Sequence, residues 1–307
     1  VTNQTSKEEL VTIGISRWVP LGNSAYDKNI QGFKDALAQA GYTEGEDVRY
    51  ILEVADADDE QQRMIALSFK QQEVDLIYSL TTPGTLVLKE EIEDIPIVFS
   101  IVTYPVEAGV IDSLQNSRNN LVGTRNWIPV EEQLSVFRNI VPNITSIGFV
   151  HRTGEPNSDI QLTEMQDVAG PLGIEVVEIA GSDFSELKRQ FEMLEDVDSI
   201  FSACDTLVQG EAEEFIIEYA LSRNIPSFSC NNTGPRKGDL VGTVADFYQI
   251  GKLAGEKAVL ILEGATPDSL STDTVARPFV YINQTTANHL GIPIPQDIVA
   301  EAKEIIE

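Results

Sequence analysis

Short apolar runs alternate with amphipathic stretches along almost the whole chain. Residues 11–16 (VTIGIS) read as a strand, and 26–40 then carry Ile30, Phe33, Ala36, Leu37 and Ala40 at helical spacing, closed by Gly41 as a C-cap. A strand at 49–54 and a helix at 60–72 with Met64, Ile65, Leu67 and Phe69 come next, then strands at 75–79 and 97–101. A second cycle starts at Ser146. It has strands at 146–151, 174–179, 199–201 and 227–228, and helices at 159–172 (closed by Gly173), 184–194 and 210–222. Strands that alternate with helices predict parallel sheets covered on both faces.

The two cycles repeat one phrase. DLIYSLTTPG and EDIPIVFSIVTYP in the first half match DSIFSACDTLVQG and RNIPSFSCNNTG in the second: an acidic residue, an apolar run, a polar loop, a helical stretch, Ile-Pro, an apolar run and another polar loop. The expected architecture is α/β, with two Rossmann-like doubly wound lobes and a cleft between them. Three further segments read as crossings between lobes: NLVGTRNW (120–127, with Pro129 opening a helix), DLVGTVADF (239–247, before a helix at 248–262) and the strand at 279–282. They place hinge strands near residues 124, 245 and 281, with 1–123 and 246–280 in one lobe and 124–245 and 281–307 in the other. No Gly/Ser/Pro-rich tether separates the halves.

Composition narrows the function. At 307 residues, 42% hydrophobic and 23% charged, the chain has the balance of a globular protein, and no apolar run approaches the roughly 20 residues of a membrane span. The net charge of −28 argues against nucleic acid and anionic membrane surfaces, since Arg236-Lys237 is the densest basic cluster. Solubility, adaptation to a saline habitat or the steering of cations would account for the acidity. The polar start VTNQTSKEEL fits a cytosolic start or a mature chain without its signal or lipid-anchor segment; the first residue is not Met, which favours the second. Cys204 and Cys230 follow apolar runs at equivalent points of successive βα units. They are two small semi-buried residues, a disulfide, or a reactive or metal-binding pair.

In parallel α/β sheets ligands bind beyond the carboxyl ends of the strands, which makes six loops candidates. In the first half they are 17–24 with Trp18 and Ser24, 81–84 with Thr81, Thr82 and Pro83, and 100–105 with Ser100, Thr103 and Tyr104. In the second half they are 152–158 with Glu155, Asn157 and Ser158, 204–206 with Asp205 and Thr206, and 230–234 with Asn231 and Asn232; Asp246 at a crossing completes the set. The Thr-Thr-Pro-Gly loop precedes a helix whose N–H groups suit a carboxylate, or are capped by Thr82. Asp205 could accept from a ligand amine, or serve as a cap or ion-pair partner. Trp18, Tyr26, Tyr104 and Trp127 could contact an aromatic ligand or pack in the core. Catalytic signals are weak: His151 near Ser158 is the one base–nucleophile arrangement that the spacing permits, and no HExxH, P-loop, GxGxxG or GxSxG motif occurs. No cofactor or metal is expected.

GFKDALAQAGY, GEDVRY, VDLIYSLTTP, EDIPIVFSIVTYPVEAGVI, LVGTRNWIPVEEQL, SIGFVHRTGEPNS, VGTVADFYQIGKLAGEKA and LGIPIP, in this order from Val11 to Pro295, resemble the ABC-transporter substrate-binding family that includes the tryptophan- and phenylalanine-binding lipoproteins. The resemblance implies a type I periplasmic-binding-protein fold with three hinge strands. It further implies a monomeric exported protein, periplasmic or extracellular and in some members lipid-anchored, that closes on a small molecule and feeds a membrane permease. A ligand-sensing domain of a signalling system is the alternative on the same fold. The family pocket includes the Thr-Pro loop, matched by Thr82-Pro83, the G-E-x-N-S loop, matched by Gly154, Glu155, Asn157 and Ser158, and an acidic residue matched by Asp205. Thr103-Tyr104-Pro105 stands where the family commonly has T-D-P, and Asn231-Asn232 where it commonly has acids. Those losses weaken the case for a ligand ammonium group.

Overall fold

The computed structural model describes residues 10–22, 24–275 and 278–307, with the Ser24 side chain outside the description. In chain order the first elements are β1 (Val11–Arg17), α1 (Ser24–Gln39), β2 (Val48–Val54), α2 (Asp59–Gln71), β3 (Leu76–Leu80), α3 (Thr82–Glu91), β4 (Ile97–Ser100) and β5 (Leu121–Arg125). Then come α4 (Val130–Ile140), β6 (Ser146–Arg152), α5 (Pro156–Ala169), β7 (Glu175–Gly181), α6 (Phe184–Met193), β8 (Ser199–Ser202), α7 (Glu213–Ser222), β9 (Ser227–Ser229), α8 (Thr233–Lys237) and β10 (Val241–Val244). The chain ends with α9 (Phe247–Leu262), β11 (Asp273–Thr274), β12 (Phe279–Asn283), α10 (Gln284–Leu290), α11 (Gln296–Glu301) and β13 (Glu304–Ile306).

Two compact units result, 1–127 with 246–275 and 128–245 with 276–307. The expected boundaries at 123/124 and 280/281 therefore fall at 127/128 and 275/276. The physical reason is strand pairing: β5 lies wholly in the first sheet beside β4, and β12 wholly in the second beside β10. Among the described residues the first sheet runs β11-β5-β4-β3-β1-β2 and the second β13-β12-β10-β9-β8-β6-β7. Apart from the late-added edge strands, both follow the flavodoxin-like order 2-1-3-4-5, which reverses direction between the first and third strands. That switch point lies between β1 and β3 in one unit and between β6 and β8 in the other.

Each sheet is buried on both faces, as parallel sheets are. In the first unit Ile13, Ile15, Tyr78, Leu80 and Val98 join one apolar cluster with α1 and α9, while Ile77, Ile97, Phe99 and Leu121 join another with α2 and α3. The alternation is the period of two of a strand. In the second unit Ile147, Phe149 and Phe201 face α4 and α5, and Val150 and Ile200 face α6 and α7. Helix α9 reaches α1 so closely that a Cβ at Gly251 would collide with the Asn29 carbonyl oxygen, and one at Gly32 with that of Tyr248. Only glycine allows backbones to approach this far.

Candidate functional site

Parallel register brings the candidate loops of the first unit to one edge. Arg17 pairs with Leu80 and Leu80 with Ser100, so the loops after β1, β3 and β4 leave the sheet side by side. Four non-glycine residues in these and the adjoining β2 loop hold positive φ: Asp56 (52°), Ala57 (58°), Thr81 (80°) and Ile101 (56°). Such backbone costs roughly 1–3 kcal/mol per residue and collects at functional sites.

Arg17 builds the first loop. Its fully buried guanidinium bonds Asp27, the Val19 carbonyl (3.0 Å) and the Pro20 carbonyl (2.8 Å), and its Cζ lies 5.5 Å from the centroid of the Tyr26 ring. Trp18 is thereby turned inward, buried among Ala55, Ile65 and Phe69, yet its Nε1 has no hydrogen-bond partner among the described residues. Thr81 is the N-cap residue of α3 but does not cap: its hydroxyl makes no bond to the helix and is likewise buried and unpartnered. Thr82 is the first helical residue and Pro83 follows, so the expected capping by Thr82 is not what the helix uses. Ser100 accepts from Asn29 Nδ2 (2.9 Å), whose Oδ1 accepts from Tyr78; burial pushes the Tyr78 hydroxyl upward. Thr103 donates to Asn126 Oδ1 (3.2 Å), and Tyr104 is almost fully buried. Asp246 caps α9 through Gln249 N–H (3.1 Å). Trp127 is half-buried with the Arg125 guanidinium over its ring at 4.4 Å.

In the second unit β6, β8 and β9 also end in register, Val150 opposite Ser202 and Ser202 opposite Ser229. Their loops form a bonded network. Glu155 accepts from the Thr206 hydroxyl (2.6 Å) and the Thr206 N–H. Asp205 accepts from Arg152 N–H and Val208 N–H, both at 2.7 Å, and so fastens two loops with both of its oxygens. The bond from Val208 N–H is the capping role that the sequence offered as one of its readings. Burial, and then the neighbouring Glu155, push Asp205 up to about 8, and burial raises Glu155 as well, against the bonds from Thr206. Asn157 donates to the Cys204 carbonyl, while its buried Oδ1 has no partner among the described residues. Ser158 Oγ lies 3.0 Å from the carbonyls of Arg152 and Glu155. His151 turns to Glu178 (2.9 Å) and Asp159 (3.5 Å) instead, so the base–nucleophile pair does not form.

Cys204 and Cys230 form a disulfide, their Cα atoms 5.6 Å apart, which joins the loops after β8 and β9. A π-helical turn, Val208–Ala212, follows the first of these and sets Gln209 Nε2 3.0 Å from Cys230 Sγ. Asn231 spends its side chain on structure: Oδ1 accepts Thr233 N–H (2.8 Å) and Gly234 N–H (2.7 Å), and Nδ2 donates to Glu213 (2.6 Å). Asn232 precedes α8 without capping it. Among the described residues no group of three or more His, Cys, Asp or Glu could hold a metal ion, and no helix is long and apolar enough to cross a membrane.

Residues outside the expected set take part too. Gln62 on α2 is fully buried; its Nε2 donates to Ser16 Oγ (2.7 Å) and its Oε1 has no partner among the described residues. Gln161 on α5 accepts from Cys204 N–H (2.9 Å).

Comparison with known proteins gives these loops a context. The family model for ABC transporter substrate binding proteins matches residues 13–306. A tyrosine-binding protein of Clostridioides difficile is 29% identical over 290 residues, covering 94% of this chain and 83% of that one. A conserved domain protein of Vibrio cholerae is 29% identical with a TM-score of 0.91, over 97% of this chain and 100% of that one. A Streptococcus pneumoniae ABC domain crystallised with L-Trp has the same fold, with a TM-score of 0.91 at 23% identity over 97% of this chain and all of that one. This chain belongs to the ABC transporter substrate-binding protein family, whose members bind solutes and are not enzymes.

Proposed function

We propose that the chain is the extracytoplasmic binding component of an ABC importer and that its substrate is an aromatic amino acid or a close analogue. Rim loops supply contacts, and a membrane permease receives the loaded protein. The observation behind this reading is the first-unit rim. It combines a buried indole with three buried polar atoms, Trp18 Nε1, Gln62 Oε1 and Thr81 Oγ1, that have no partner among the described residues. Such groups are hydrogen-bonded in most proteins, so an orphaned set around strained loops suits a ligand with an apolar body and a few polar atoms. The relatives support the class, since one is a tyrosine-binding protein and another was crystallised with L-Trp.

Titration calorimetry and thermal melts with the twenty amino acids, run beside native mass spectrometry of the purified protein, test this. L-Trp, L-Tyr or L-Phe should bind with a Kd near or below about 1 μM, and at 100 times Kd should stabilise the fold by about 2.7 kcal/mol. Binding of none of the three, or recovery of a chemically unrelated molecule, would reject the aromatic reading.

A further inference from the structure

We propose that Gln62 determines specificity by reading the α-ammonium group of the ligand, while the N-terminus of α3 with Thr81 and Trp18 takes its α-carboxylate. The inference rests on the amino-acid reading above and lies wholly within the first unit.

The donor and acceptor inventory leads to it. The Gln62 amide is oriented by its bond to Ser16, so Oε1 is the atom left over. It lies against the first turn of α3: a Cβ placed on Gly84 would be 3.3 Å from Gln62 Oε1 and 3.3 Å from Trp18 Cβ and Cε3. A carbonyl oxygen is favoured over an amide nitrogen there, because the helix end carries partial positive charge. Helix α3 has ten residues, its N-cap Thr81 makes no capping bond, and Pro83 removes one N–H from the turn. The N–H groups of Thr82 and Gly84 are thus left for a ligand, beside the unpartnered Thr81 hydroxyl and the donor-only Trp18 indole.

No simple ion satisfies this set. A carboxylate accepts from the helix, Thr81 and Trp18 but leaves Gln62 Oε1 buried and unmet. An ammonium group meets Gln62 but leaves the indole N–H unmet. The zwitterionic head of an α-amino acid supplies both. Asp205, the acid that the sequence offered for an amine, already has both oxygens on backbone N–H groups. A neutral amide carbonyl in the first unit takes that task instead.

The test is a cycle between ligand and protein, using L-tryptophan, indole-3-propionate (which lacks the ammonium) and tryptamine (which lacks the carboxylate), or the tyrosine series if L-tyrosine binds tighter. Gln62→Met should weaken the amino acid roughly 10-fold or more while changing the des-amino acid less than about 3-fold. Gln62→Glu keeps an acceptor and adds charge. It should keep the amino acid and penalise the des-amino acid, so the proposal stays testable if the methionine variant does not fold. Trp18→Phe should instead cost the amino acid more than tryptamine. Equal losses for the amino acid and the des-amino acid in Gln62→Met, or no loss for either, overturn the assignment. If wild-type protein binds neither amino acid, the broader reading fails first, and the wild-type titration alone reveals it.

Discussion

Replacing Arg17 by methionine should weaken binding of the preferred aromatic amino acid by roughly 30-fold or more while lowering Tm only a few degrees. The two effects separate because of what the guanidinium touches. Asp27 is 56% exposed and returns to water when its partner goes, so the loss of that ion pair costs little stability. Methionine fills much of the volume, and a buried charge disappears. The Val19 and Pro20 carbonyls, however, lose the fork that holds them, and with it goes the fixed position of Trp18. Binding sites depend on such supporting shells, because a misplacement of about 1 Å can cost two orders of magnitude. Arg17→Lys keeps the charge but not the planar fork and should recover little affinity. Calorimetry beside thermal melts checks both numbers; an unchanged Kd with a lowered Tm would show that the loop keeps its shape without Arg17.

The second large effect is on stability against pH. Burial pushes Asp205 up to about 8 and raises Glu155, and it pushes Asp239, a buried acid just before β10 that accepts from the Ser227 hydroxyl, up to about 7. These carboxyls hold protons more tightly in the folded chain than in the unfolded one, where they titrate near 4. Between those ranges the folded state carries the extra protons, so its stability is greatest at the acid side and falls as pH climbs through about 7–8. In 1 M NaCl, where the Debye length is about 3 Å and the repulsion from the −28 surface is screened, Tm should fall by roughly 5–10 °C between pH 6 and pH 9. Glu155→Gln removes the charge beside Asp205 and should flatten the fall. A Tm that stays level or rises over that range would mean that these acids are ionised in the fold at little cost.

Much of this was legible in the sequence, and the reasons it was legible also explain the gaps. Apolar runs of two to six residues gave eight strands of the two parallel cores, because the central strands are buried on both faces, while β5 and β10 were read as crossings between lobes. β11 and β13 were missed because two or three residues at a sheet edge are too few to leave a pattern. On α2 the apolar count was misled: Met64 and Leu67 are exposed, and the buried stripe is Gln62, Ile65, Ala66 and Phe69. A glutamine at the N-terminal end of an apolar stripe was therefore the available sign of a polar atom aimed inward, and Gln161, with Met165 and Ala169 after it, repeats the sign on α5. Loop positions were readable from the strand-end rule, but the division of labour inside the loops was not. Asp205 and Asn231 both look like ligand contacts in sequence, yet each satisfies backbone groups, since short polar side chains bond their own loops as readily as anything else.

The disulfide between Cys204 and Cys230 has a bearing on cooperativity. It closes a span of 26 residues inside the second unit, and in the chain-entropy description that restricts the unfolded chain by about 3–4 kcal/mol. The first unit receives none of this. Two units of the same strand order, one cross-linked and one not, thus have unequal means of resisting unfolding; heating with the disulfide intact is the condition that separates their transitions, and a reductant removes that difference.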